Sequence, residues 1–173
     1  MQTSDTVQAL VQSQREFNAA VSGLSDEEAS AHPEPGCWSV LEQVEHLVMA
    51  ESRLGMIFSM ATKQDEGIRD LTREADLAAA VRDRSRKISA PERIHPTGKF
   101  RTTSEALQAF NAARTSATAF ATEHEAELDT WKAAHPVFGS ISMREWLVLV
   151  AGHSGRHVEQ IRETLRASKA HHG

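Results

Sequence analysis

The sequence predicts an all-α fold: a four-helix bundle with a long crossover connection that carries one extra short helix. Three observations predict it. Four segments have apolar residues at the three- and four-residue spacing of a helix face. Three of these segments begin with a Ser/Thr-x-x-Glu capping box, and none is interrupted by proline. No segment shows the alternation of apolar and polar residues that is typical of a strand.

The first two long helices are defined by their start and stop signals. Apolar residues recur on one face of the first segment, which predicts a helix from about Ser4 to Gly23, where glycine ends it. A loop with two prolines follows. The capping box S-V-L-E then predicts a second helix that begins at Ser39 and runs to about Thr62.

The second half of the chain supplies the crossover and the other two long helices. Residues 72–86 predict a shorter helix, followed by a connection that contains two prolines and a glycine. The third long helix begins at the box T-T-S-E, residues 102–105. The fourth begins at S-M-R-E, with Ser142 as cap and Glu145 as its partner, and continues to about Ser168.

Composition and length narrow the class of protein. The chain has 173 residues and a net charge of −5, from 19 Lys and Arg against 24 Asp and Glu, which disfavours nucleic acid as a partner. The longest apolar run, residues 146–152, is too short to span a membrane, and the N-terminus has no signal-peptide pattern. Cys37 is the single cysteine, which fits a reducing compartment. We expect one cytoplasmic domain over residues 1–173, with its core at about 4–168.

Two histidines four residues apart, His153 and His157, indicate a metal site on the fourth helix. Their Cβ atoms are expected roughly 6 Å apart on one face of the helix. Both lie at the border of the apolar stripe centred on Ile161. Two stacked histidines at such a border cannot both be charged without repulsion, and neutral imidazoles suit a metal ion. A zinc-type site needs at least three protein ligands, so a third must come from another segment.

The identity of the third ligand stays open from spacing alone. His46 lies in the regular part of the second helix, but its helical angle is more than 90° from the centre of the apolar stripe. Three other histidines each precede proline and are therefore expected in loops. The candidates are His32, His46, His95, His124 and His135, with His171 and His172 in an exposed tail.

Four motifs in order carry a family resemblance. They are P-G-C-W-S-V-L-E-Q-V-E-H-L at 35–47, A-P-E at 90–92, H-P-V-F-G-S-I-S-M-R-E-W at 135–146 and H-S-G-R-H-V-E-Q-I at 153–161. Together they resemble the DinB superfamily, and within it the branch of YfiT-like metal-dependent hydrolases and thiol S-transferases. The resemblance covers nearly the whole chain.

The resemblance implies a four-helix bundle that binds a divalent metal ion, which is zinc, nickel or iron depending on the member. Its ligands would be His46, His153 and His157. Such an ion can acidify a bound water or hold a thiol as thiolate. The resemblance therefore implies a small-molecule substrate, with a low-molecular-weight thiol such as bacillithiol or mycothiol as one option. It is also compatible with a homodimer.

Several other residues are candidates for supporting roles. Glu42, one turn before His46, could orient that ring or act as a base, although the capping box also uses it. Gln160 lies near His157 and could contact a ligand. Glu51 falls inside the apolar stripe of its helix and is either a buried partner of Arg114 or a glutamate at the helix edge.

Three functions are compatible with the sequence. The first is a metal-dependent enzyme that activates water for hydrolysis or a thiol for S-transfer. The second is a metal-binding or stress-related module without turnover. The third is a helical bundle without metal. The residue after His153 is Ser154, so the glutamate base of an H-E-x-x-H metalloprotease is missing at that place.

Overall fold

The computed structural model describes residues 4–85 and 89–170, and its helices form the predicted four-helix bundle. The second bundle helix is made of two consecutive pieces. In chain order the helices are α1 (Asp5–Val21), α2 (Asp26–Ser30), α3 (Val40–Glu51), α4 (Leu54–Ser59), α5 (Leu71–Arg82), α6 (Thr103–Glu123) and α7 (Met143–Ala170), with a 3-10 turn at Glu92–Ile94.

The predicted start signals act as caps in the structure. Ser39 Oγ accepts from the Glu42 backbone N–H at 3.2 Å, and the Glu42 carboxylate accepts from the Ser39 N–H at 2.8 Å. Ser142 and Glu145 repeat this exchange at the start of α7. At α6 only half of the box forms, because the glutamate side chain bonds to a residue before the cap. These caps satisfy N–H groups that have no partner within their helix.

The long helices are not arranged in chain order around the bundle. α1 packs against α6 and α7, and α3 packs against the same two helices. Consecutive long helices α1 and α3 therefore lie diagonally across the bundle, and the crossover with α5 makes this order reachable. α5 itself packs on the outer side of α7.

Two apolar clusters fill the interior of the four-helix bundle, and a buried polar layer separates them. One cluster contains Leu10 and Leu147, and the other contains Phe17, Phe110 and Ile161. Between them each bundle helix contributes one polar residue. We call this set the buried polar layer: Ser13, Glu51, Arg114 and Ser154.

Arg114 is the centre of the buried polar layer, and its contact with Glu51 decides between the two alternatives for Glu51 in favour of a buried ion pair. Its side chain is fully buried, and two of its nitrogens donate to the Glu51 carboxylate at 2.6 and 2.9 Å. The remaining N–H groups reach Ser13 Oγ, the Leu10 carbonyl and Ser154 Oγ. Arg114 thus ties four helices together with all five of its donors used.

A small antiparallel sheet corrects the prediction that no strand is present. Strands β1 (Thr62–Lys63), β2 (Trp131–His135) and β3 (Gly139–Ser142) pair in that order. The β2–β3 turn is closed by His135 Nδ1, which accepts from the N–H groups of Val137 and Phe138, and Gly139 takes a φ of 71°. Strands this short carry too few residues for alternation to be read from sequence.

Two predicted helix boundaries also change. The second helix is interrupted after Glu51 and ends at Ser59 instead of Thr62, because Thr62 pairs with Lys132 in the sheet. The crossover helix ends at Arg82. Residues 86–88, which include the predicted end of that helix, lie outside the described residues. Within the described ranges, no helix is both long and apolar enough to cross a membrane.

The close contact between α5 and α7 at Gly152 gives a stability prediction. A Cβ on Gly152 would lie 2.3 Å from Val81 Cγ1. We expect Gly152→Ala to lower the free energy of unfolding by about 1–3 kcal/mol through overpacking, although alanine is the better helix former. Urea denaturation measures this.

Truncating the neighbour provides the control for this prediction. Val81→Ala removes the clashing methyl, so the double variant Gly152→Ala/Val81→Ala should recover most of the loss. If Gly152→Ala alone is as stable as the wild type, α5 does not pack on α7 at this distance.

Candidate metal centre

His46 lies on α3 about two turns after the Ser39 cap, and it is buried, with 3% of its surface exposed. Its Nδ1–H donates to the Ile94 carbonyl at 2.8 Å, which turns Nε2 toward α7. The helical angle of His46 was a poor guide to its burial, because α3 is covered on its second flank by α7 and by the 3-10 turn as well as by the core.

His153 and His157 lie one turn apart on α7 and face His46. His157 is buried and His153 is partly exposed. His153 Nε2 lies 3.3 Å from His46 Nε2 and 3.2 Å from His157 Nε2. One nitrogen from each ring lies within 4.8 Å of the other two. The structure thus brings together the three histidines that the family resemblance implies as ligands.

The separation of these nitrogens fits a shared cation. Two imidazole nitrogens bound to one tetrahedral zinc ion at about 2.0–2.1 Å are about 3.3 Å apart. The distances from His153 Nε2 to the Nε2 atoms of His157 and His46, 3.2 and 3.3 Å, match that separation. Two of the three nitrogen pairs therefore already have the spacing of ligands on one ion, and the third pair lies within 4.8 Å.

The protons of the three rings give an independent test of this fit. Because His46 carries its proton on Nδ1, its Nε2 is a lone pair that faces His153 Nε2. A single proton on His153 Nε2 can serve only one of its two neighbours. Every neutral arrangement leaves a polar atom unmatched, whereas a cation at the centre accepts all three lone pairs.

The family model of the DinB superfamily matches residues 9–161, which is well over half of the chain. The chain belongs to the DinB superfamily.

Two relatives extend this assignment. This DinB protein is 28% identical over 141 residues to YuaE, an uncharacterised protein of Bacillus subtilis strain 168, covering 82% of this chain and 85% of YuaE. Its fold resembles that of YfiT from Bacillus subtilis with a TM-score of 0.57, at 20% identity, over 93% of this chain and 84% of YfiT. YfiT is described as a probable metal-dependent hydrolase with an unusual four-helix bundle topology. At this identity the likeness to YfiT shows the fold alone.

Burial keeps the three rings of the DinB site neutral. Desolvation lowers the pKa of His46 and lowers the pKa of His157 well below its ordinary value. The pKa of His153 falls to about 3, first because of desolvation and then because of the neighbouring positive groups, among them Arg156. Neutral imidazoles are the form that binds a metal ion, so these lowered pKa values favour binding at physiological pH.

The same lowered pKa values predict how the stability of the metal-free protein depends on pH. Unfolded histidines take up protons near pH 6.5, whereas folded His153 does so only near pH 3. The free energy of unfolding should therefore be level above about pH 7 and fall below pH 6, with His153 alone contributing about 1.4 kcal/mol per pH unit.

Urea denaturation between pH 4 and pH 8, in the presence of a chelator, measures this dependence. His153→Ala should remove about one proton from the difference between the unfolded and folded states in the range from pH 6 to pH 4. An unchanged slope in His153→Ala would show that this ring already takes up its proton near pH 6.5 in the folded protein.

The surroundings of the cluster are aromatic on one side and basic on the other. The Trp38 ring lies 5.0 Å from the His46 ring and 5.8 Å from the His95 ring, so Trp38 forms one wall of the site. Trp146 packs on His135. On α7, Arg156 donates to the carbonyls of Val81 and Asp83 at the end of α5.

The other histidines of the described residues have different partners. His32 Nε2 lies 3.0 Å from the Glu42 carboxylate, and His95 Nε2–H donates to the Ala90 carbonyl at 2.9 Å. His124 contacts Glu127 at the end of α6. His135 closes the β2–β3 turn. His171 and His172 lie outside the described residues.

The two candidates for catalytic support are placed differently. Glu42 bonds to the Ser39 N–H and to His32, while both nitrogens of His46 are used elsewhere, so Glu42 does not orient that ring. Gln160 follows His157 by three residues on the same helix, and its Oε1 is buried without a partner among the described residues. Gln160 therefore keeps a free acceptor one turn from the cluster.

Two elements of this site were missed by the sequence analysis. The first is the Ile94 carbonyl, a backbone group that no residue type identifies. The second is Glu45, which is 3% exposed and accepts from three backbone N–H groups and one hydroxyl in the 94–99 loop. Burial raises the pKa of Glu45, but these four bonds outweigh it and lower the pKa overall. A glutamate directly before His46 was the available signal.

Proposed function

We propose that this protein is a metal-dependent hydrolase in which His46, His153 and His157 hold a divalent cation. The observation that carries the proposal is the convergence of three imidazole Nε2 atoms from two helices, two of them 3.2 and 3.3 Å from the third. The description of its structural neighbour YfiT as a probable metal-dependent hydrolase supports the same class. Zinc, nickel and iron all accept imidazole ligands, so the donor set does not choose among them.

The residues of the site have separable roles in this proposal. A divalent cation held by three neutral imidazoles supplies Lewis acidity, because it lowers the pKa of a bound water toward neutrality or keeps a thiol as its thiolate. The Ile94 carbonyl fixes the tautomer of His46. Trp38 excludes water from one side of the ring. His153 is the partly exposed ring of the three, so a small molecule would approach the cluster from its side.

A second function, thiol S-transfer, is favoured by one specific observation. Among the described residues, the group of side chains close enough to share an ion contains three histidines and no carboxylate. Neutral ligands leave the ion its full positive charge, which suits an anionic sulfur ligand. The same reasoning leaves hydrolysis without a carboxylate base at the ion.

Cobalt substitution tests whether the site has an open position, and it can separate the two reactions. The visible spectrum of the Co²⁺-loaded protein should change on addition of azide. The His153→Ala variant should show neither the Co²⁺ spectrum nor the change with azide. Turnover of p-nitrophenyl acetate by the Zn²⁺- or Ni²⁺-loaded protein, faster than by His153→Ala, supports hydrolysis.

Thiol transfer predicts a different pair of results. A low-molecular-weight thiol should give a sulfur-to-cobalt charge-transfer band, and the loaded protein should accelerate conjugation of that thiol to monochlorobimane. A Co²⁺ spectrum that responds neither to azide nor to thiol contradicts an open site and leaves a metal-binding module without turnover.

A further inference from the structure

Two neighbouring residues of α3 hold the same loop by different groups. His46 Nδ1–H donates to the Ile94 carbonyl at 2.8 Å. Glu45, the residue before it, receives four hydrogen bonds from the 94–99 loop at 2.7–3.0 Å. Both side chains are 3% exposed. The loop is therefore fixed to α3 at two points that are three residues apart.

Each oxygen of the Glu45 carboxylate accepts two hydrogen bonds from the loop. Oε1 accepts from the N–H and the hydroxyl of Thr97, and Oε2 accepts from the N–H groups of Gly98 and Lys99. Gly98 takes a φ of 75°, which lets successive N–H groups converge on one anion. A neutral amide at position 45 would present an NH₂ group to N–H donors, so it cannot replace the carboxylate.

The segment between the two anchor points is short and stiff. The 3-10 turn fixes Ile94 through bonds from the Ile94 and His95 N–H groups to the carbonyls of Pro91 and Glu92. Only His95 and Pro96 separate Ile94 from Thr97, and proline restricts the backbone on both sides. A loop held at Thr97–Lys99 is thereby held at Ile94 as well.

We propose that Glu45 is a positioning residue for the metal site: by holding the 94–99 loop, it keeps the Ile94 carbonyl on His46 Nδ1–H and so directs His46 Nε2 to the cluster. This inference rests on the proposed function of the three histidines. Partners that fix the second nitrogen of a ligand histidine commonly change metal affinity by about 10–100-fold when lost.

The variant Glu45→Gln tests this role against a matched control. We expect its Zn²⁺ affinity, measured by competition with a chromophoric chelator, to fall about 10–100-fold. Glu74→Gln is the control, because Glu74 is also a buried carboxylate that anchors a loop, through two bonds from Arg69. Glu74 lies about 12–14 Å along α5 from Asp83, which is the end of the helix that contacts Arg156 near the cluster. Glu74→Gln should therefore leave Zn²⁺ affinity unchanged.

A second readout follows the ring itself and does not depend on metal. In ¹⁵N-histidine NMR spectra of the metal-free protein, His46 should be the Nδ1–H tautomer with a slowly exchanging proton, assigned through its absence in His46→Ala. Glu45→Gln should mix the tautomers and speed that exchange, whereas Glu74→Gln should not. Thr97→Val removes one of the four bonds and should give a smaller change in the same direction, which keeps the test valid if Glu45→Gln folds poorly.

The outcomes separate this inference from the proposed function. If the wild type binds Zn²⁺ but Glu45→Gln and Thr97→Val keep both its affinity and the wild-type His46 signal, the positioning role is wrong while the metal site stands. If the wild type binds no divalent metal, the proposed function fails and the role of Glu45 toward a metal fails with it. A fall in melting temperature alone, with tautomer and affinity retained, also overturns the proposal.

Discussion

Replacing His46, His153 or His157 with alanine is expected to weaken divalent metal binding by more than about a hundredfold, beyond the roughly 10–100-fold cost of losing an outer partner. The reason is that a three-histidine site has no ligand to spare, since two imidazoles alone do not hold such an ion firmly. Chelator competition with Zn²⁺ and Ni²⁺ measures the affinity of each variant. All three variants should lose binding together, because their nitrogens share one centre.

The metal-free variants should remain folded, which separates a lost ligand from a lost structure. His153→Ala and His157→Ala remove rings whose facing nitrogens compete for one proton in the absence of an ion, so little hydrogen bonding is lost. His46→Ala also loses the bond to the Ile94 carbonyl and should cost more stability than the other two. His124→Ala, an exposed histidine at the end of α6, is the control and should bind metal as the wild type does. Retention of full affinity in any one of the three site variants would remove that residue from the ligand set.

Removing Arg114 is expected to have the largest effect on stability. Arg114→Met should lower the free energy of unfolding by about 3–5 kcal/mol, because it leaves Glu51 buried and without its charged partner. Burial raises the pKa of Glu51, and the two bonds from Arg114 oppose that rise. Urea denaturation at neutral pH, monitored by circular dichroism, gives the difference.

The double variant tests why the single one is so costly. Arg114→Met/Glu51→Leu removes both charges of the pair, so it should recover much of the loss and give a large coupling energy in a double-mutant cycle. Residual loss is expected, since Ser13 and Ser154 also lose their bonds to Arg114. A double variant as unstable as the sum of the two single variants would show that the pair itself contributes no coupling.

The parts of this fold that could be predicted from sequence are those set by local chemistry. Ser39 and Ser142 mark helix starts because a hydroxyl and a glutamate three residues later satisfy free N–H groups. The position of Glu51 in an apolar stripe indicated a buried partner of Arg114 as one of two alternatives, and the structure shows that pair. These signals lie within one turn of a helix or on one face of it.

The missed parts depend on contacts between distant segments. Thr62 pairs with Lys132 in the sheet. The strand that contains Thr62 is too short to show alternating apolar and polar residues, and its partner strand is distant in the sequence. The angle of His46 on α3 suggested exposure, whereas the packing of α7 and the 94–99 loop against that flank buries it. The family resemblance supplied the choice of His46 that periodicity alone left open.

The most direct test of the metal centre is elemental analysis of the untagged protein, purified without an affinity metal and then equilibrated with Zn²⁺, Ni²⁺ or Fe²⁺. The geometry of His46, His153 and His157 predicts close to one divalent ion per chain after removal of free metal. A folded protein that retains none of the three metals would contradict the account and leave a helical bundle without a metal-dependent activity.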